Sequence, residues 1–169
     1  MKLGKVCLIQ PVPEKNMEGD KVTTYTISMD DQPSEADIRT LIHNLVSYNE
    51  TQTEKENWQK LAFFIRDELG NMVGGIYCYT HWGWLFISHL WVAKLLRNQG
   101  YGTELVARAE QEAIRRGCRQ AYLDTYDFQA VGFYRKLGYK VFGQLSDFPV
   151  GHTRYFLMKS EIGVPLEHM

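Results

Sequence analysis

The chain has 169 residues, of which 44% are apolar and 13% aromatic, and this composition predicts one folded domain rather than a disordered chain. Its 19 basic and 20 acidic residues give a net charge of −1, so no nucleic-acid or anionic-membrane partner is expected. The three cysteines lack CxxC spacing, which argues against a disulfide framework and a zinc site, and we expect no metal. No stretch resembles a signal peptide or a membrane-spanning helix, which predicts a cytoplasmic protein.

The first predicted elements are a strand and a helix. Residues 24–29 alternate between polar and apolar side chains and are rich in β-forming residues, which predicts a strand. Ser34 and Asp37 then resemble a capping box, with Asp in place of the usual Glu. Apolar residues at helical spacing from Ile38 to Val46 predict an amphipathic helix after this cap.

The middle of the chain predicts three strands, a helix and a further strand, at 61–67, 72–80, 84–92, 102–117 and 121–125. Short turns join the first three strands, so these should pair as antiparallel hairpins. A strand, a helix and a strand in succession form a right-handed crossover, so strands 84–92 and 121–125 should be parallel. A short helix and two more strands follow, at about 129–137, 139–145 and 154–159.

The order of elements predicts an α/β (α+β) fold with a mixed, mostly antiparallel sheet of about seven strands flanked by helices. One parallel strand pair should splay at a cofactor site. We expect a domain over residues 23–160, preceded by an extension of uncertain structure at 1–22 and followed by a tail at 161–169.

The sequence RNQGYG at 97–102 lies between an apolar strand and the long amphipathic helix. Glycines there allow a tight turn whose N–H groups converge, and the helix N-terminus adds partial positive charge. Such a corner suits a phosphate or pyrophosphate, although many glycine turns only reverse the chain. No Gly-Lys-Ser/Thr follows, which excludes a P-loop, and the Rossmann fingerprint lacks its third glycine.

Two motifs together resemble the GNAT family of acetyl-coenzyme A-dependent N-acetyltransferases. The family pattern R/Q-x-x-G-x-G/A is matched at 97–102, and A-x-x-F-Y-x-K-x-G-F/Y is matched from Ala130 to Tyr139. The resemblance covers about residues 24–160 and implies acetyl-CoA as cosubstrate. Together the two motifs are specific for the fold and for coenzyme A binding, but not for the acceptor.

The resemblance also implies where acetyl-CoA binds. Pantetheine would bond to the backbone of the strand before the corner, the N–H of Val92 would polarise the thioester carbonyl, and the amides of 98–103 would take the pyrophosphate. Asp127 stands where the family often has Asn. The implied cofactor-binding residues are Leu90, Trp91, Val92, Arg97, Asn98, Gln99, Gly100, Tyr101, Gly102, Thr103, Asp127 and Tyr134.

The resemblance assigns Tyr134 the role of general acid for the leaving thiolate, against the alternative of a tyrosine packed on the sheet. The general base is open, because the family's usual carboxylate position holds Ser88 and His89. His89 is the candidate we select, with a buried structural histidine as the alternative reading. Asp124 and Asp147 are competing candidates.

Aromatic residues around the central hairpin and in the segment 146–156 favour a small, partly hydrophobic amine as acceptor. The candidate acceptor-binding residues are Trp84, Asp124, Asp147 and Arg154. The leading hypothesis is direct acetyl transfer to a primary amine of a small molecule in a ternary complex. The alternatives are a CoA-binding sensor without transfer activity and an acetyltransferase acting on protein, peptide or aminoacyl-tRNA. A homodimer is compatible with the resemblance.

Overall fold

The computed structural model describes residues 25–163, and the chain divides into two compact units, 1–42 and 43–169. The described part contains three α-helices, a short 3-10 turn at Lys94–Leu96 and one six-stranded sheet. The helices are α1 Glu35–Gln52, α2 Tyr101–Arg115 and α3 Val131–Lys136. The strands are β1 Gln59–Arg66, β2 Met72–His81, β3 Trp84–Val92, β4 Gln120–Tyr126, β5 Lys140–Ser146 and β6 Thr153–Ser160.

The strand predicted at 24–29 is wrong for the described residues 25–29, which are irregular. Tyr25, Ile27 and Met29 alternate as a strand would, yet their side chains are exposed. Alternation reports only a two-faced pattern, whereas a strand also needs a neighbour to bond its backbone. The sheet therefore has six strands instead of about seven. The predicted extension at 1–22 lies outside the described residues.

The predicted cap of the first helix is confirmed. The hydroxyl oxygen of Ser34 accepts the backbone N–H of Asp37 at 3.1 Å, and α1 begins at Glu35. This bond satisfies one of the four amide groups that a helix N-terminus leaves without an internal partner.

The strand order across the sheet is β1-β2-β3-β4-β6-β5. Every neighbouring pair is antiparallel except β3 and β4, which run parallel with α2 as the crossover between them. The mixed, mostly antiparallel fold and its single parallel pair are thus as predicted. This arrangement brings the carboxyl ends of β3 and β4 to the same edge as the start of α2.

The hydrophobic core lies between one face of the sheet and the two helices α2 and α3. We call this face of the sheet the helix face. The apolar stripe of α2 packs with alternate strand residues and with Tyr134 of α3 in one buried cluster. The buried members are Leu61, Ile76, Cys78, Leu85, Ile87, Leu105, Val106, Ala109, Ala113, Cys118, Ala121, Leu123, Tyr134, Tyr139, Leu157 and Ile162.

A glycine of β2 is required by close packing against β1. A Cβ at Gly75 would lie 2.9 Å from the backbone oxygen of Phe63, a contact that only a backbone shift can relieve. We expect Gly75→Ala to lower the free energy of unfolding by about 1–3 kcal/mol. Urea unfolding followed by circular dichroism measures this change.

Gly132 is the matched control, because a Cβ there meets no heavy atom within 4 Å and the residue lies inside α3. Gly132→Ala should raise the free energy of unfolding by roughly 0.5–1 kcal/mol through helix propensity. Equal stability of Gly75→Ala and the native chain would contradict the packing argument.

Candidate functional site

The sheet opens between β3 and β4. Their parallel pairing runs from Trp84 opposite Gln120 to Ile87 opposite Leu123 and then stops, although both strands continue. The break coincides with a bulge in β3: Tyr77 faces His89 while Cys78 faces Ile87, so Ser88 is the extra residue. A bulge bends its strand and raises the local twist. We call the resulting opening between the ends of β3 and β4 the gap.

The backbone of β3 presents bonding groups to this gap. The N–H of Ala93 donates to the carbonyl of Val73 at 2.9 Å, and Gly74 lies opposite Val92. Because bonded and non-bonded pairs alternate in an antiparallel ladder, Leu90 and Val92 point their amide and carbonyl groups away from β2. Since β4 no longer pairs there, these groups face the gap, as the resemblance implies.

A glycine-rich turn follows the gap and starts α2. Asn98 and Gly100 have positive φ of 62° and 88°, and Gly100 is the N-cap of α2 without a side-chain cap. The first helical bond runs from the N–H of Glu104 to the carbonyl of Gly100 at 3.0 Å. The amides of Tyr101, Gly102 and Thr103 therefore lack helical acceptors, which fits an anion at this end of the helix.

Arg97 holds the backbone of β3. Its Nε donates to the carbonyl oxygen of Val92 at 3.1 Å, so the side chain ties the turn to the end of β3. Gln99 closes the same turn, with its Nε2 donating to the carbonyl of Leu95. The predicted contribution of Arg97 to phosphate binding stays a prediction, and its guanidinium retains further donors for that role.

Tyr134 of α3 is 6% exposed and belongs to the core beneath the gap. Its ring meets those of Phe133 and Tyr139 edge to face, at centroid distances of 5.0 and 5.8 Å. Burial raises the pKa of Tyr134 above its ordinary value, and nearby Cys78 and Asp124 raise it further. The hydroxyl has no hydrogen-bond partner among residues 25–163 and keeps its proton at neutral pH, as a proton donor must.

Cys78 lies beside Tyr134 in the same core and is fully buried. Burial raises the pKa of its thiol to about 12. The thiolate is the nucleophilic form of cysteine, so a thiol held in this way is inert at neutral pH.

Asp124 is the first residue of β4 beyond the last pair with β3, and its side chain points to the face opposite the helices. We call this side of the sheet the open face. Both Nε and Nη2 of Arg154 lie 2.7 Å from Oδ2 of Asp124, and the two side chains are 17–18% exposed. The Arg154 guanidinium is also enclosed by the rings of Tyr126, Phe148 and Phe156 at 5.3–5.7 Å. The structure thus brings Asp124 and Arg154 together. Arg154 bonds Oδ2 of Asp124, so Oδ1 is left for another donor.

His89 lies on the open face across the gap from β4, and it is exposed. The alternative of a buried histidine is therefore wrong, because the strand alternation beyond the bulge turns Leu90 and Val92, not His89, toward the core. Its Nδ1 lies 2.8 Å from Oγ of Ser88. When Nδ1 donates to that hydroxyl, Nε2 keeps the lone pair that a base needs.

Asp127 and Asp147 both serve the connection between β5 and β6. Asp127 accepts the N–H of Thr153 through Oδ2 and lies 3.0 Å from Nδ1 of His152 through Oδ1. Asp147 has a positive φ of 55°, and its Oδ1 accepts the N–H of Gly151 at 3.2 Å. The cofactor role predicted for Asp127 and the acceptor role predicted for Asp147 stay predictions, and both carboxylates already order this loop.

An aromatic cavity of about 420 Å³ lies on the open face, at the opposite end of β3 and β4 from the gap. Trp84 and Tyr122 form part of its wall. Tyr122 lies two residues before Asp124 on β4, and the two side chains point to the same face. The lining residues are His81, Trp82, Trp84, Tyr122, Phe142 and Met158.

Sequence reasoning missed a buried polar cluster behind Tyr134. Glu110 on α2 accepts bonds from the Tyr139 hydroxyl and from Nζ of Lys159. One signal was present: Glu110 follows Ala109 on the apolar stripe of α2, where a charged residue needs a buried partner. The partner on β6 is 49 residues away, and no local pattern identifies it.

Within residues 25–163 no group of three or more His, Cys, Asp or Glu side chains is arranged to hold a metal ion. In the same part of the chain, no helix is both long enough and apolar enough to cross a membrane.

Comparison with known proteins finds a match to the acetyltransferase (GNAT) family over residues 26–139. The chain is 40% identical over 99 residues to a blasticidin-S acetyltransferase of Streptomyces morookaense, covering 58% of this chain and 73% of that protein. It is 34% identical over 115 residues to an acetyltransferase of Agrobacterium fabrum, covering 68% and 84%. A crystal structure of an acetyltransferase from Bacillus cereus matches with a TM-score of 0.73 and 29% identity, covering 79% of this chain and 97% of that one.

Proposed function

The chain belongs to the GNAT family and is an acyltransferase, and on that premise we propose that it transfers an acetyl group from acetyl-CoA to a primary amine of a small molecule. The amine attacks directly while both substrates are bound. The observation that carries this proposal is the gap between β3 and β4, where backbone groups of β3 have no partner on β4 and the uncapped start of α2 lies beside them.

The residues at the gap fit acetyl-CoA. Its pantetheine amides find partners in the backbone groups of Leu90 and Val92, and its pyrophosphate finds the amides of Tyr101 to Thr103. Bound there, acetyl-CoA supplies the electrophilic thioester. The N–H of Val92 faces the position where negative charge develops on the thioester oxygen. The Arg97 bond to the Val92 carbonyl holds the next peptide, between Val92 and Ala93.

The proton donor and the acceptor-side groups reach the gap from opposite faces of the sheet. Tyr134 lies in the core on the helix face, whereas His89 and Asp124 lie on the open face. An amine that approaches from the open face has the carbonyl carbon between itself and Tyr134. Tyr134 can then give its proton to the departing thiolate, while His89 takes the proton that the attacking ammonium must lose.

The acceptor side suits a small cation with a flat or apolar part. Oδ1 of Asp124 offers an acceptor to an ammonium, and Tyr122 places the aromatic cavity next to it on β4. The rise of about 3.3 Å per residue puts these two neighbouring positions about 7 Å apart. The relative named for blasticidin-S supports a small-molecule acceptor of this kind.

Direct attack is favoured over an acyl-cysteine route by the state of Cys78. The sulfur is fully buried, and its pKa of about 12 leaves a negligible fraction of thiolate at neutral pH.

A panel of amines with acetyl-CoA tests the function, with free thiol detected as it forms. We expect thiol release with blasticidin-S or with aromatic amines such as tyramine, and little with putrescine, which has no group to fill the aromatic cavity. Acetyl-CoA should also raise the melting temperature of the chain. Stabilisation by acetyl-CoA without thiol release from any amine would favour the CoA-binding sensor, and absence of both would reject the proposal.

Tyr134→Phe tests the proton donor. The substitution removes one hydroxyl from a packed ring, so we expect kcat to fall about 10²-fold with little change in the KM for acetyl-CoA. Because burial raises the pKa of Tyr134 above its ordinary value of 10.0, the native enzyme should show no fall in kcat from ionisation of this group up to pH 10. Initial rates from pH 6 to 10 measure both effects, and unchanged turnover of the variant across this range contradicts the role.

His89→Ala and Asp124→Asn separate the base from the binding group. The exposed His89 can be removed without disturbing the core, and we expect kcat to fall about tenfold at pH 7 and to recover at pH 9, where the amine loses its proton to solvent.

Asn at position 124 keeps an oxygen for Arg154 but loses the charge, so the KM for the amine should rise about tenfold. The reverse pattern would assign the base to Asp124.

A further inference from the structure

Glu110 of α2 is an ionisable side chain inside the hydrophobic core, 8% exposed. Its two oxygens have separate partners: Oε1 accepts the Tyr139 hydroxyl at 2.9 Å, and Oε2 accepts Nζ of Lys159 at 2.8 Å. Lys159 is 8% exposed and Tyr139 is 1% exposed. A buried ion pair of this kind adds little net stability compared with well-packed apolar residues, so its main effect is to fix geometry.

Tyr139 is held by three contacts, two from the pair to its side chain and one through its backbone. Its hydroxyl is bonded to Glu110, Nζ of Lys159 lies 5.8 Å from its ring centroid, and its backbone N–H donates to the carbonyl of Tyr134 at 3.1 Å. Burial, and then the Glu110 carboxylate, raise the pKa of Tyr139 well above its ordinary value, so the hydroxyl remains a donor. Tyr139 is therefore a rigid surface rather than a mobile ring.

Tyr134 packs against that surface. The two rings meet edge to face with centroids 5.8 Å apart and an interplanar angle of 71°. The Tyr134 ring also meets the Phe133 ring at a centroid distance of 5.0 Å, and the Phe133 ring lies 3.4 Å from where a Cβ of Gly102 would stand. Helix α2 thus touches this group of rings at two places, through Gly102 at its first turn and through Glu110 two turns later.

We propose that Glu110, acting through Tyr139, is a positioning residue that sets the Tyr134 hydroxyl at a fixed place relative to the glycine-rich turn at the start of α2. The inference rests on the proposed function, in which that turn holds the pyrophosphate and Tyr134 protonates the thiolate. Two contacts with one rigid helix locate a ring better than one contact does. A small displacement of a reacting group is costly to the rate of the chemical step.

A double-mutant cycle on the full-length chain tests the proposal, with Tyr139→Phe made in the native and in the Tyr134→Phe background. The change keeps the ring and removes only the hydroxyl that bonds Glu110. We expect kcat to fall about tenfold in the native background, with the KM for acetyl-CoA unchanged within twofold. In the Tyr134→Phe background the same change should have almost no effect, because the group that it positions is already gone.

Glu110→Gln is the second variant, since the amide keeps an acceptor for Tyr139 and should lose less activity than Tyr139→Phe. Glu112→Gln is the matched control. It makes the same chemical change two residues along α2, where the carboxylate bonds the side chains of Arg115 and Arg116 instead of the core. We expect its kcat to stay at the native value, even where its melting temperature falls.

The outcomes distinguish the positioning role of Glu110 from the proposed acetyltransferase function. If Tyr134→Phe lowers kcat but Tyr139→Phe has the same effect in both backgrounds or none in either, the positioning role is overturned while the proposed function stands. If no amine is acetylated, the proposed function fails, and nuclear magnetic resonance of ¹³C-labelled tyrosine rings decides the positioning role. A shift of the Tyr134 ring signal in Tyr139→Phe and not in Glu112→Gln then supports it, and an unchanged signal overturns it.

Discussion

The structure depends on the point at which β3 and β4 stop pairing. Unpaired backbone groups inside a sheet are normally costly, and they form only where each strand is held from its other side. Here β2 pairs with β3 as far as Val92, and β6 pairs with β4 as far as Tyr126. The bulge at Ser88 supplies the bend that lets the two strands part. The candidate cosubstrate site is thus an interruption in hydrogen bonding that the neighbouring strands stabilise.

Helices α2 and α3 are arranged around this interruption. The crossover between two parallel strands must be right-handed, which brings α2 back over the sheet and starts it beside the ends of β3 and β4. Helix α3 then adds Tyr134 from the same side. Near the gap, the open face carries the polar side chains of His89 and Asp124 together with the exposed ring of Trp91. Topology alone therefore separates the groups on one face from those on the other.

Much of this arrangement could be predicted from the sequence. The parallel pair, the long helix and the glycine-rich turn follow from local spacing, because period and turn chemistry are properties of neighbouring residues. The strand at 25–29 could not be judged in this way, since its alternation is real and only the absence of a partner strand among the described residues decides against it. The alternation of apolar residues indicates which face a segment would bury, whereas the tertiary structure decides whether anything covers that face.

The finer features of the site escaped prediction for the same reason. The exposure of His89 depends on a one-residue bulge and on what lies over the open face. The bonds of Asp127 to Thr153 and of Glu110 to Lys159 join residues that are far apart in the chain. Each of these carboxylates was visible as a charged residue near a motif, but its partner is chosen by the register of β6.

The distance between the aromatic cavity and the gap has an evolutionary consequence. The cavity lies at the amino ends of β3 and β4, and the gap lies at their carboxyl ends. Under the proposed function, in which the cavity receives part of the acceptor, substitutions at Trp84, Phe142 or Met158 can change the shape of the cavity without moving Val92, Tyr134 or the glycine-rich turn. Such a scaffold can acquire new specificities by single substitutions, each of which leaves the geometry of the gap intact.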